Sequence, residues 1–218
     1  DNMTNNDNTQ LSSDIKQMKT RSEKRGLRGR DLINIGIFTA IYFVLNFICM
    51  LLGGFHPVLW VFMPALIALV AGTPYILMCA KVQKLGAVLI MGVITALIYF
   101  VTGMFTPFIL LLMIACCVIA EVIRAVTQFK SFWGNAFSYA VFGLGMCGSP
   151  LPIWTMRDAF FEQIQSQGMS AEYVSTLAAI TGDVMLPVMI VATFACGFVG
   201  ALIARVLFRK HFEKAGLV

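Results

Sequence analysis

Charge is what this sequence has least of. Only 12% of its 218 residues are charged, against 59% hydrophobic. A soluble domain usually carries about 25% charged residues. The apolar excess is too large for one aqueous core, so lipid has to cover much of the surface. Signatures of self-contained catalysis or energy conversion are missing too. Without a GxxxxGK[ST] loop, the chain does not itself bind and hydrolyse ATP in that way. GxSxG and HExxH are absent, which weakens a membrane hydrolase reading. There is no CxxC either. Cys49, Cys79, Cys116, Cys117, Cys147 and Cys196 lie in or at the ends of apolar runs and read as small packing residues. Proton-driven carriers bury several acids at mid-membrane. Here Asp158, Glu162, Glu172 and Asp183 fall in or beside a polar stretch. Glu121 and Arg124, one helical turn apart, read as an ion pair snorkelling to the membrane interface.

What is present is a set of long apolar runs. A helix crossing about 30 Å of hydrocarbon needs roughly 20 mostly apolar residues. Six stretches approach this: 33–52, 58–80, 85–102, 108–123, 133–146 and 184–208. The fifth is the weakest; with Asn135, Ser138 and several glycines, it is expected to face other helices. The predicted fold is therefore an all-α membrane protein of six transmembrane helices. A polar, basic arm (1–30) precedes the spanning domain (31–212), and a short tail (213–218) follows. The arm opens with no early apolar stretch, so no secretory signal is expected.

Orientation follows from the cations. With the N-terminus inside, fifteen of the sixteen Lys and Arg residues fall on the cytoplasmic side, and only Arg157 falls outside. That is a strong positive-inside bias, with both ends cytoplasmic. It also accounts for the net charge of +5 without nucleic acid as a partner. The outer loops are then 53–57, 103–107 and 148–183. In the last, Thr155 with Asp158 resembles a helix start, Ser170 opens a second helix, and Gly168 and Gly182 are stops. Two short helices over the outer mouth are expected, or outward extensions of the fifth and sixth spans. These loops collect Phe55, His56, Trp60, Met63, Phe105, Trp154, Met156 and Arg157. Trp and Phe near a membrane surface often form the interfacial belt, whereas Met and His are less readily explained that way. Small residues recur at four-residue spacing: Gly36 and Ala40 in the first run, and Ala192, Cys196, Gly200 and Ala204 in the last. Such stripes let helices approach closely, inside the bundle or against another subunit.

Several stretches carry a resemblance. Phe62-Met63-Pro64-Ala65-Leu66, Ala71-Gly72-Thr73-Pro74-Tyr75 and Lys81-Val82-Gln83-Lys84-Leu85-Gly86-Ala87 look like the MptD-type, or Trep_Strep, family of S components. These are substrate-binding membrane subunits of energy-coupling factor (ECF) transporters, importers of the ABC superfamily, and the likeness covers about residues 28–212. The resemblance implies a chain that is no enzyme. It would capture a small-molecule micronutrient from outside a bacterial cytoplasmic membrane and topple as it docks. Its partners would be a transmembrane coupling subunit (T component), driven by two ATPase subunits, and the lipid bilayer. The family's docking surface maps to Gly36 and Ala40. An aromatic, Met-rich outer site with one His would suit haem or a related tetrapyrrole as the transported ligand. His56 would then be an axial metal ligand and Arg157 would meet the propionates. No cofactor of its own is implied. Cobalamin or another vitamin is the alternative substrate. A membrane-embedded enzyme or a secondary carrier is the alternative class.

Overall fold

The computed structural model describes residues 26–101 and 107–214; Phe105, most of the second outer loop and most of the basic arm lie outside the described residues. Every regular element among the described residues is helical. Helix α1 (Gly29–Gly53) opens where the Asp31 carboxylate accepts the Arg28 N–H at 2.8 Å. It ends at Gly53-Gly54. The second apolar run is not one rod. It divides into α2 (Pro57–Val61), α3 (Met63–Val70) and α4 (Gly72–Lys81), with a 45° bend between α3 and α4. Proline explains the last break: Pro74 has no N–H to donate to the Val70 carbonyl, so the ladder fails at Ala71. Helix α5 (Ala87–Val101) is short for a span, at about 22 Å. Helix α6 (Pro107–Val126) follows, then α7 (Phe132–Leu144), which runs into a 3₁₀ turn at Gly145–Gly148. After α8 (Pro152–Thr155), α9 (Arg157–Ser166) and α10 (Ala171–Ile180) come α11 (Met185–Leu207) and α12 (Arg209–Lys214).

By length and composition, α1, α6 and α11 can each cross a membrane, and the bent α3–α4 pair makes a fourth candidate. Their outward faces are apolar, as lipid requires: Ile33, Leu111, Val118, Val191 and Val206 are all well exposed. Helix α7 is instead central. Asn135, Ser138, Tyr139 and Phe142 are buried, and only Trp133 and Phe137 stand half-exposed, against Phe198 and Phe194 of α11. The weak fifth run is weak because protein surrounds it.

Close packing uses the glycines. A Cβ on Gly200 would stand 2.5 Å from the Ala68 carbonyl oxygen, and one on Gly72 would stand 2.7 Å from the backbone of Gly200. The small-residue stripe of α11 is therefore absorbed where α11 crosses the α3–α4 bend. Gly200→Val is expected to destabilise the bundle by at least about 2 kcal/mol through overpacking. Thermal unfolding in detergent measures this, and an unchanged melting temperature would refute the crossing.

The cationic helix ends gather at one end of the bundle. Lys84 Nζ lies 2.7 Å from Asp31 and donates to the Gly26 carbonyl. Arg124 reaches the Val82 carbonyl, and Arg205 lies over the rings of Phe132 and Trp133. At the opposite end, α8–α10 fold over the mouth of the bundle.

Candidate functional site

The cap at that opposite end has its own small core. Val61, Ile153, Phe160, Ile164, Val174 and Leu177 are buried together, with Trp60, Trp154 and Tyr173 packed against them. The helices are not extensions of spans: Met156 (φ −141°, ψ 51°) breaks the chain before α9, and residues 181–184 part α10 from α11. Gly168, whose φ of +98° suits only glycine well, parts α9 from α10. Ser170 caps α10, its hydroxyl accepting the Tyr173 N–H at 3.1 Å. Thr155 does not cap α9. Its hydroxyl turns back to the Leu151 carbonyl, and Met156 takes the cap position. Four hydrogen bonds from three side chains hold the cap. Tyr173 Oη donates to the Gly53 carbonyl at 2.9 Å, and Trp154 Nε1 donates to Gly182. Arg157 donates to the carbonyls of Ala178 and Thr181, the otherwise open end of α10. Burial pushes the Tyr173 phenol up to about 12. Tyr173→Phe is expected to cost about 1 kcal/mol, read as faster hydrogen exchange confined to α9 and α10.

Among the described residues, those singled out in the outer loops divide between the cap, the main core and exposed positions. Phe55 projects freely, 81% exposed. His56 is the N-cap of α2, and its Nδ1 accepts the Val58 N–H at 3.2 Å. Met63 is not in a loop at all, being fully buried in the main core. Trp60 and Trp154 belong to the cap core, and Met156 is exposed beside it. Arg157, the cation meant for propionates, is committed to backbone carbonyls and lies over Phe161. Among the described residues no group of His, Cys, Asp or Glu is arranged to hold a metal ion.

The two small-residue stripes part company. In α11, Gly197, Gly200, Ala201 and Ala204 are buried within the bundle. In α1, Gly36 and Ala40 face outward, and nothing lies within 4 Å of a Cβ built on Gly36. Exposed Ile33, Ile37, Ile41 and Val44 flank the pair along the helix. Packing inside the bundle accounts for one stripe and leaves the other open.

Comparison with known proteins adds a family. Residues 29–214 match the model of the Trep_Strep family, described as a hypothetical bacterial integral membrane protein. The chain belongs to the Trep_Strep family. No curated protein and no solved structure matches it.

In this Trep_Strep protein a buried polar cluster forms around the pair that reads, in the sequence, as snorkelling to the interface. Arg124 is fully buried and does not snorkel. Its guanidinium donates to the Glu121 carboxylate at 3.3 Å, to Asn135 Oδ1 at 3.2 Å and to the Val82 carbonyl at 2.8 Å. Glu121 also accepts the N–H groups of Val88 and Leu89, capping the start of α5 from another helix. One ion pair thus joins the end of α4, the start of α5, α6 and α7. A second set, Tyr75–Ser138 at 2.7 Å and Tyr139 to the Ala68 carbonyl at 2.7 Å, ties α7 to α4 and α3.

Proposed function

We propose that this chain is the substrate-binding component of an ECF-type importer in a bacterial cytoplasmic membrane. The observation that carries the reading is the outward Gly36–Ala40 pair on α1, flanked by exposed branched apolar residues. In lipid, burial of apolar surface gives little drive for association, so small residues on an exposed face favour close contact with another transmembrane helix. The absence of an ATP-binding loop in the sequence fits a subunit energised by partners. On this reading the short α5 and central α7 complete six spans, with both ends cytoplasmic. The cationic end of the bundle then lies inside, and the cap of α8–α10 covers the substrate side. The coupling subunit docks on α1, and two ATPase subunits drive it.

Affinity purification of the tagged chain from its native membrane, followed by mass spectrometry of the captured proteins, tests this. The expected result is an ATPase pair and one further membrane subunit at defined stoichiometry. Recovery of the chain alone, with ligand uptake intact in cells depleted of such ATPases, would overturn it.

A further inference from the structure

The buried polar side chains of this bundle are nearly all satisfied locally. Thr39, Thr95, Thr181 and Thr193 each donate to the carbonyl four residues earlier, and Ser138, Tyr75 and Tyr139 have short partners. Three buried polar atoms lack a partner among the described residues: Trp60 Nε1 in α2, Asn135 Nδ2 in α7 and the Tyr42 hydroxyl in α1. Tyr42 is fully buried, and its hydroxyl has no hydrogen-bond partner within 3.5 Å among the described residues; the side chain nearest in reach is that of Asn46, one turn on. Asn46, also fully buried, donates to the Tyr42 carbonyl and accepts a long 3.4 Å bond from Tyr99 of α5. An amide can make about four hydrogen bonds, so Asn46 keeps capacity to spare. An orphaned buried hydroxyl costs about 1–3 kcal/mol unless something else meets it. The orphan hydroxyl, with the spare capacity of Asn46 one turn on along the same helix, calls for an occupant.

The surroundings say what kind. Met50, Met63 and Met146 belong to the same buried cluster, each from the outer end of its element. Unbranched methionines repack around guests more readily than branched residues do. Aromatic faces are close: Phe142 lies edge-on to Tyr42 at 5.5 Å, and Phe43 to Tyr99 at 5.5 Å. The only buried charges among the described residues, Glu121 and Arg124, sit at the other end and satisfy each other. A charged guest placed beside Tyr42 would lack a counter-ion, at a cost of several kcal/mol.

We infer that the outer half of the bundle, between α1 and α5, holds an uncharged, flat ring compound whose polar edge bonds to Tyr42 and Asn46. The methionines shift to admit the ring. The inference deepens the importer reading by naming the chemistry of its substrate, and it argues against an anionic tetrapyrrole there.

The test uses the full chain in nanodiscs with three uncharged rings, lumichrome, thymine and nicotinamide, and with haemin as the anionic comparison. Binding is read by equilibrium dialysis. At least one neutral ring is expected to bind, and Tyr42→Phe or Asn46→Leu to weaken it about tenfold each, the equivalent of one hydrogen bond. Tyr42→Phe removes only the orphan hydroxyl, so folding is preserved and thermal unfolding verifies it. Binding by none of the neutral rings, or binding that both variants retain, would overturn the inference. Haemin binding abolished by the same variants would overturn the neutral-ligand part. Partner capture is read separately on the unsubstituted chain, so failure of this inference and failure of the importer reading remain distinct results.

Discussion

Arg124→Ala is expected to lower stability by about 3–5 kcal/mol, among the largest losses any single substitution causes in this bundle. The guanidinium is fully buried and donates to three elements at once. Its removal leaves the Glu121 carboxylate charged in an apolar setting, with the Val82 carbonyl and Asn135 Oδ1 deprived of a donor. The ion pair itself need not be strongly stabilising. Desolvation offsets most of the attraction between two buried charges, and the large cost comes from breaking one partner away. A second variant separates these terms. In Arg124→Met with Glu121→Gln, the Gln carbonyl still accepts from Val88 and Leu89, and no charge is left unpaired. The double variant is expected to regain more than half of the loss. Thermal unfolding in detergent, followed by circular dichroism, reads both. A single variant that melts like the parent chain would refute the network, and a double variant no better than the single one would refute the charge argument.

That network also marks where sequence reading runs out. Glu121 and Arg124 are visible as an i, i+3 pair near the end of an apolar run, a pattern also met where ion pairs snorkel. Burial was decided by Val82, 42 residues earlier, and by Asn135 on a later helix. Such partners are set by tertiary packing, to which local spacing is blind. Features that depend on neighbouring residues were readable. Ser170 as a cap and Gly168 as a stop rest on one turn of backbone, and the structure places both there. The break of the second run was also written in Pro64 and Pro74, but apolar continuity over 58–80 masked it. In the sequence the outer-loop residues share only a side of the membrane. Side of the membrane does not specify depth or direction, so Met63 proved buried and Arg157 engaged. Asn46 carried a signal that composition obscured. A buried amide deep inside an apolar run is costly unless it bonds to something, which makes it a functional hypothesis by default.

On the importer reading, Gly36→Leu together with Ala40→Leu is expected to reduce capture of the proposed coupling subunit at least about tenfold while leaving the chain as stable as before. The prediction depends on the contrast between stripes. In α11 a bulky side chain collides with the α3–α4 backbone, whereas at Gly36 a Cβ meets nothing within 4 Å. The isolated chain therefore has room for leucine at this position. Gly36→Ala alone even gains about 1 kcal/mol of helix propensity. A partner helix seated on the pair has no such room. Two leucines hold the backbones apart and forfeit the dispersion contacts that drive association in lipid. Capture by the tagged double variant, measured beside its melting temperature, separates docking from folding. Undiminished capture would remove α1 as the docking face, and a lower melting temperature would show that the pair packs within the bundle. Gly36→Ala, which adds one methyl, is expected to fall between the parent and the double variant in capture, with stability unchanged or higher. A graded loss of binding with side-chain volume, at constant or rising stability, is what a close helix–helix contact predicts and what a merely lipid-facing stripe does not.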